Sequence, residues 1–134
     1  MTESAFRHGT FGWNELVTTD TGAARNFFGK LLGWTFEDMP MPDGQGAYVV
    51  ASAGGQRAAG MFQMSGENFK GVPPHWMGYI TVTDVDAAAA KVSTLGGKVC
   101  IPPTDIPKVG RFCIISDPTG ATVSLMQWST EMGN

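Results

Sequence analysis

Apolar residues fall along this chain in two rhythms, and the change from one to the other marks its elements. From Trp13 to Thr18, β-branched and aromatic residues give a strand. Asp20 follows, a residue type that caps a helix by accepting a bond from a free backbone N–H. Ala23, Ala24, Phe27, Phe28, Leu31 and Leu32 then lie on one helical stripe, and Gly33 supplies the left-handed conformation that ends it. Next come a strand from Trp34 to Glu37, a turn-forming Met-Pro-Met-Pro-Asp-Gly stretch, a strand from Gly46 to Ala51, a turn at Gly54-Gly55, and a strand from Arg57 to Met64. The order is βαβββ.

The same order returns at a constant shift of 64 residues, which carries Asp20 onto Asp84, Gly33 onto Gly97, Leu16 onto Ile80, and Tyr48-Val49-Val50 onto Phe112-Cys113-Ile114. Repeat one covers about residues 11–64. Residues 65–75, with Gly66, Gly71, Pro73 and Pro74, read as a linker, and repeat two covers about 76–128. Its predicted strands are Met77 to Thr83, Gly97 to Ile101, Gly110 to Ser116 and Ala121 to Trp128, with a helix from Val85 to Leu95 and a turn at Asp117-Pro118-Thr119-Gly120. A sheet with its helix on one face leaves the other face uncovered. The expected fold is therefore α+β: two βαβββ repeats forming paired curved sheets around a shared cleft, within a single domain of residues 1–134.

Composition narrows the function. The chain is 43% hydrophobic and 16% charged, with 18 Gly and 8 Pro, as suits a compact body with many turns. A net charge of -3 without a Lys/Arg cluster argues against nucleic acid and membrane as partners. No run approaches the roughly 20 apolar residues of a membrane span, and the opening residues lack a signal-peptide pattern, so a cytoplasmic location is expected. Cys100 and Cys113 read as buried apolar fillers.

The stretches Trp-Asn-Glu-Leu-Val-Thr-Thr-Asp (13–20) and Ala-Ala-Arg-Asn-Phe-Phe-Gly-Lys-Leu-Leu-Gly-Trp (23–34) resemble the first-unit signature of the glyoxalase/bleomycin-resistance group, in the vicinal oxygen chelate superfamily with the extradiol dioxygenases. The run Val-Gly-Arg-Phe-Cys-Ile-Ile-Ser-Asp-Pro-Thr-Gly-Ala (109–121) resembles its second-unit signature. The resemblance implies four metal-ligand positions, which fall here on Trp13, roughly Gly60, Met77 and Ser124. None of these is a plausible ligand for a divalent metal, so no metal and no cofactor are expected.

Strand alternation puts Glu15 and Val17 on the face of Trp13, Tyr79 and Thr81 on that of Met77, Ala58 and Phe62 on that of Gly60, and Thr122 and Met126 on that of Ser124. The predicted ligand-binding set is Trp13, Glu15, Phe62, Met77, Tyr79, Ser124 and Met126, an apolar lining with a few polar groups. Glu15 reads two ways: as a proton-transfer base assisted by Tyr79, or as a structural or binding carboxylate paired with Tyr79, Arg57 or Arg111. His8 and His75 read as surface or linker histidines, His8 in a loosely ordered N-terminal stretch.

The leading functional reading is a metal-independent binder of a small, partly apolar organic molecule, in the manner the resemblance to bleomycin-resistance proteins implies. The alternative is a metal-independent lyase or isomerase using Glu15; metal-dependent glyoxalase or dioxygenase chemistry ranks third. The partner is a small-molecule ligand, and the resemblance leaves open closure of the cleft within one chain or across a homodimer.

Overall fold

A computed structural model describes residues 6–40, 47–66 and 69–129. Its elements are β1 (Phe11–Thr18), α1 (Thr21–Leu32), β2 (Thr35–Pro40), β3 (Ala47–Ala53), β4 (Gln56–Gln63), β5 (His75–Thr81), α2 (Val85–Val92), β6 (Lys98–Ile106), β7 (Gly110–Ser116) and β8 (Thr122–Trp128). The fold is mixed α+β. The chain divides into two compact units, one of Trp13–Met77 and the other of residues up to Gly12 together with those from Gly78 onward.

In the first unit the strands follow the order β2-β3-β4-β1, antiparallel except for the β1–β4 pair, which is parallel. A parallel pair needs a crossover, and α1 begins it. Asp20 Oδ1 accepts from the Ala23 N–H to start α1, and Gly33, at φ 75°, closes it. Leu16, Val49 and Met61 form the core beneath the helix, with Ala24, Phe28, Trp34 and Phe36 packed against them. The apolar stripe on α1 is wider than the surface this sheet offers. Phe27, Leu31 and Leu32 remain exposed, and no α1 residue is fully buried.

The second unit repeats the plan in the order β5-β8-β7-β6, again with one parallel pair, β5–β8. Asp84 Oδ1 accepts from the Ala87 N–H at the start of α2. Val82, Val85, Cys113 and Leu125 make the core, with Ile80, Ala88, Ala89 and Ile115 around them. The parallel registers correspond at the 64-residue shift: Glu15 faces Gly60 as Tyr79 faces Ser124, and Val17 faces Phe62 as Thr81 faces Met126.

Several boundaries differ from those read in the sequence. Met39 and Pro40, expected in a turn, end β2, where they pair with Tyr48 and Ala47; the other turn residues, Met41 to Gly44, lie outside the described residues. The helix expected to reach Leu95 ends at Val92 and finishes as a 3₁₀ turn, Ser93–Leu95, closed by Gly96 at φ 91°. Strand β6 runs on to Ile106 although it contains Pro102 and Pro103. It lies last in its unit's strand order, and its ladder with β7 shifts register between Val99 and Ile101 and between Ile101 and Thr104, so the prolines break no regular pairing. Cys113 on β7 is buried as expected, but Cys100 on β6 is exposed.

Residues 6–10, ahead of β1, are tied down rather than loose. Gly9 N–H donates to the Thr81 carbonyl and Thr81 N–H to that of Thr10, while His8 Nδ1 accepts from the Thr83 N–H at 3.0 Å. Phe6 meets Trp128 edge-on at 5.9 Å. His75, placed in the linker by its neighbours Pro73 and Pro74, opens β5, and its Nδ1 donates to the Pro73 carbonyl at 2.9 Å.

Candidate ligand-binding site

Leu16 faces α1, so the alternation of β1 turns Trp13, Glu15 and Val17 to the opposite face of the first unit's sheet. By the same count Val49 and Met61 face the helix, while Tyr48 and Val50 on β3 and Gly60 and Phe62 on β4 turn away from it. On that second face three side chains join in a directed chain. The Trp13 Nε1–H donates to the Tyr48 hydroxyl at 2.8 Å, and the Tyr48 hydroxyl donates to Glu15 Oε2 at 2.8 Å. All three residues are half-buried, and Phe62 adds an aromatic wall that also meets Phe69, with centroids 5.7 Å apart.

Gly60 explains how Tyr48 reaches this position. A Cβ on Gly60 would overlap the Tyr48 hydroxyl and stand 2.6 Å from the ring carbon Cε2. The phenol therefore lies in the space a side chain at position 60 would take. Sequence reasoning missed Tyr48, reading it only as part of a strand. The signal was present, because a glycine inside a strand pattern marks a close approach by another group.

The other predicted residues lie on the second half of the strand set. Met77 is buried on β5. Tyr79, also on β5, has Ser124 of β8 as its register partner, and Thr81 has Met126. All four are buried, and Ser124 Oγ makes no hydrogen bond among the described residues although the residue is fully enclosed. The Trp128 Nε1–H donates to Thr81 Oγ1 at 3.0 Å.

Arg111, one of the partners considered for Glu15, is engaged elsewhere. It donates to Asp86 through Nε at 2.8 Å and Nη2 at 3.0 Å, and to Asp105 through Nη1 at 3.1 Å. The hydrogen bond and charge of Arg111 hold the Asp86 carboxyl below its ordinary range, and the two aspartates push the guanidinium up. Burial, together with the charge of Asp86, raises the Cys113 thiol.

The model of the glyoxalase/bleomycin resistance protein/dioxygenase superfamily matches residues 10–125. The chain belongs to this superfamily. Among its relatives, the Mycobacterium tuberculosis protein CFP32, whose name proposes a glyoxylase, is 43% identical over 130 residues, covering 97% of this chain and 50% of that protein. The anthracycline biosynthesis protein DauV of Streptomyces sp. strain C5 is 30% identical over 131 residues, 90% of this chain and 47% of that one. The chain thus spans about half the length of the curated relatives it matches. Methylmalonyl-CoA epimerase from Mycobacterium tuberculosis shares the fold, with a TM-score of 0.66 at 14% identity over 99% of this chain and 96% of that one.

At the four positions to which the resemblance assigns metal ligands, the chemistry of the side chains can be read directly. The Trp13 ring nitrogen keeps its proton and donates a hydrogen bond through it to the Tyr48 hydroxyl; Gly60 has no side chain and the phenol fills its place; Met77 offers a thioether and Ser124 a neutral hydroxyl. Among the described residues no group of three or more His, Cys, Asp or Glu is gathered to hold an ion. These residues do not fit a divalent metal, which takes imidazole, carboxylate or thiolate. No described helix is long and apolar enough to cross a membrane.

Proposed function

We propose that this superfamily member binds a small, partly apolar organic molecule without a metal, using Trp13, Glu15, Phe62, Met77, Tyr79, Ser124 and Met126. The observation that carries the reading is the Trp13–Tyr48–Glu15 chain seated over Gly60: an indole and a phenol occupy positions 13 and 60, to which the resemblance assigns metal ligands, and the Glu15 carboxylate accepts from the phenol. Aromatic walls with a few fixed polar atoms suit a carbon-rich ligand, since apolar surface leaving water contributes roughly 25 cal/mol per Å². The enclosed Ser124 hydroxyl, without a partner among the described residues, supports it, because a buried polar atom left so costs about 1–3 kcal/mol that a hydrogen bond to a ligand would offset.

Relatives add a chemical direction. DauV is named for anthracycline biosynthesis, and anthracyclines are fused aromatic rings bearing carbonyls and hydroxyls. A planar aromatic ligand of that kind matches Trp13 and Phe62. The reading further takes the chain as one domain built by duplication and working in the cytoplasm, alone or as a homodimer.

Elemental analysis after purification without chelator should find no stoichiometric transition metal. Titration with anthraquinone-2-sulfonate should change tryptophan emission, and Trp13→Ala should abolish that change while circular dichroism stays that of the wild type. A tightly held iron, nickel or zinc per chain, or emission unmoved by any aromatic compound, would overturn the proposal.

A second reading follows from the half-buried Glu15 carboxylate: a metal-independent lyase or isomerase in which Glu15 moves a proton. Glu15→Gln separates the two. It abolishes turnover with binding retained if the carboxylate is a base, and changes affinity alone if it is a recognition group.

A further inference from the structure

We propose that Tyr48 is a positioning residue of this site. Its hydroxyl couples Trp13 to Glu15 and fixes the Glu15 carboxylate as an acceptor, so that the site selects aromatic ligands carrying a hydrogen-bond donor over equally large ones without it. The inference rests on the binding function proposed above and assigns it a ligand class.

Three observations carry it. The hydrogen bonds run in one direction, from the indole N–H to the phenol oxygen and from the phenol O–H to Glu15 Oε2, each at 2.8 Å. A Tyr hydroxyl has one proton, and here it is directed at Glu15, so Oε2 is held as an acceptor. The phenol lies in the space that Gly60 leaves on β4 by lacking a side chain. Glu15 itself lies opposite Gly60 in the β1–β4 register, so one backbone pairing sets the positions of both that space and the carboxylate.

A directed chain of this kind polarises along its length: the charge on Glu15 strengthens the O–H bond it accepts, which makes the phenol oxygen a better acceptor for Trp13. In this chain Trp13 donates to Tyr48 and Tyr48 to Glu15, so Tyr48 links the two. The ligand class follows from the same carboxylate. Beside aromatic walls, a fixed acceptor rewards a phenolic hydroxyl and leaves a methoxy oxygen facing another oxygen.

Two measurements test this. In ¹⁵N-resolved NMR spectra of the ligand-free protein, the Trp13 indole N–H, identified by its loss in Trp13→Phe, should shift upfield in Tyr48→Phe. It should also shift in Glu15→Gln, and Glu15→Gln should no longer move it when Tyr48→Phe is already present. A merely structural tyrosine would lower stability without this dependence. The second measurement compares 2-naphthol with 2-methoxynaphthalene. The wild type should prefer the naphthol about tenfold, and Tyr48→Phe should reduce that preference to near unity while still binding the methoxy compound.

A Trp13 resonance indifferent to Glu15→Gln, or equally sensitive to it with and without Tyr48, overturns the coupling. Equal affinity of the wild type for both probes overturns the ligand class. If neither probe binds the wild type, the binding function fails and the ligand class with it, whereas the indole coupling is still decided by the spectra.

Discussion

The Tyr48 hydroxyl overlaps the point where a Cβ on Gly60 would sit, so the two positions exclude one another's side chains. Gly60→Ala is therefore expected to destabilise the protein by about 1–3 kcal/mol, the usual cost of overpacking. Combining it with Tyr48→Ala should recover part of that loss, because the clash disappears with the ring. Urea unfolding of the two single variants and the double variant measures the coupling; strict additivity would mean that the ring moves aside freely.

Met61 is fully enclosed beneath α1, whereas Leu31 on α1 is 62% exposed. Met61→Ala should cost about 2–5 kcal/mol, since it removes methylenes and leaves a cavity. Leu31→Ala should change stability by about 0.5 kcal/mol or less. Equal losses at the two positions, measured by denaturant midpoint, would contradict the packing described for α1.

Asp117 holds the turn between β7 and β8 through its Oδ1, which accepts from the Thr119 hydroxyl at 2.6 Å, the Thr119 N–H at 2.8 Å and the Ala121 N–H at 3.1 Å. These bonds, that of the Thr119 hydroxyl foremost, hold its carboxyl below the ordinary range. A depressed value means stability present above the unfolded-state value and lost as pH falls through the folded one. The melting temperature of Asp117→Ala should thus lie below that of the wild type at neutral pH, and the gap should close in acid. A gap that widens on acidification would reverse the assignment.

The two thiols should react in sequence. Cys100 is exposed, while Cys113 is buried and its thiol raised by that burial. An aromatic disulfide reagent should modify one thiol per native chain and the second only on unfolding, with Cys100→Ser removing the fast phase. Fast reaction of both in the native protein would contradict the burial of Cys113.

Much of this fold was legible because its elements obey local rules. Asp20 and Asp84 announced the helices through capping, and Gly54-Gly55, with φ of 57° and 85°, announced the β3–β4 hairpin. The alternation of β1 brought Glu15 and Trp13 to one face. What escaped depended on partners distant in sequence: the β6 extension through Pro102 and Pro103 is permitted by its place in the strand order, and Tyr48 acquires meaning only when β3 lies beside Gly60. Exposure of Phe27 and Leu31 was hidden for a similar reason, since periodicity gives the width of an apolar stripe and not the width of what covers it.

The parallel pairing of β1 with β4 also orders events in time. Glu15 meets Gly60 only after the chain has passed through α1, β2 and β3, so this seam closes a long loop, whereas the β3–β4 hairpin closes a short one at Gly54-Gly55. Hairpins form in microseconds and distant pairings wait for them. The β1–β4 seam, which sets the positions of both Glu15 and the space taken by Tyr48, is thus expected to be among the last parts of its unit to assemble, an order that folding and unfolding rates of variants in the two places would check. Substitutions there should act mainly by hastening unfolding, and substitutions in the hairpin by slowing folding.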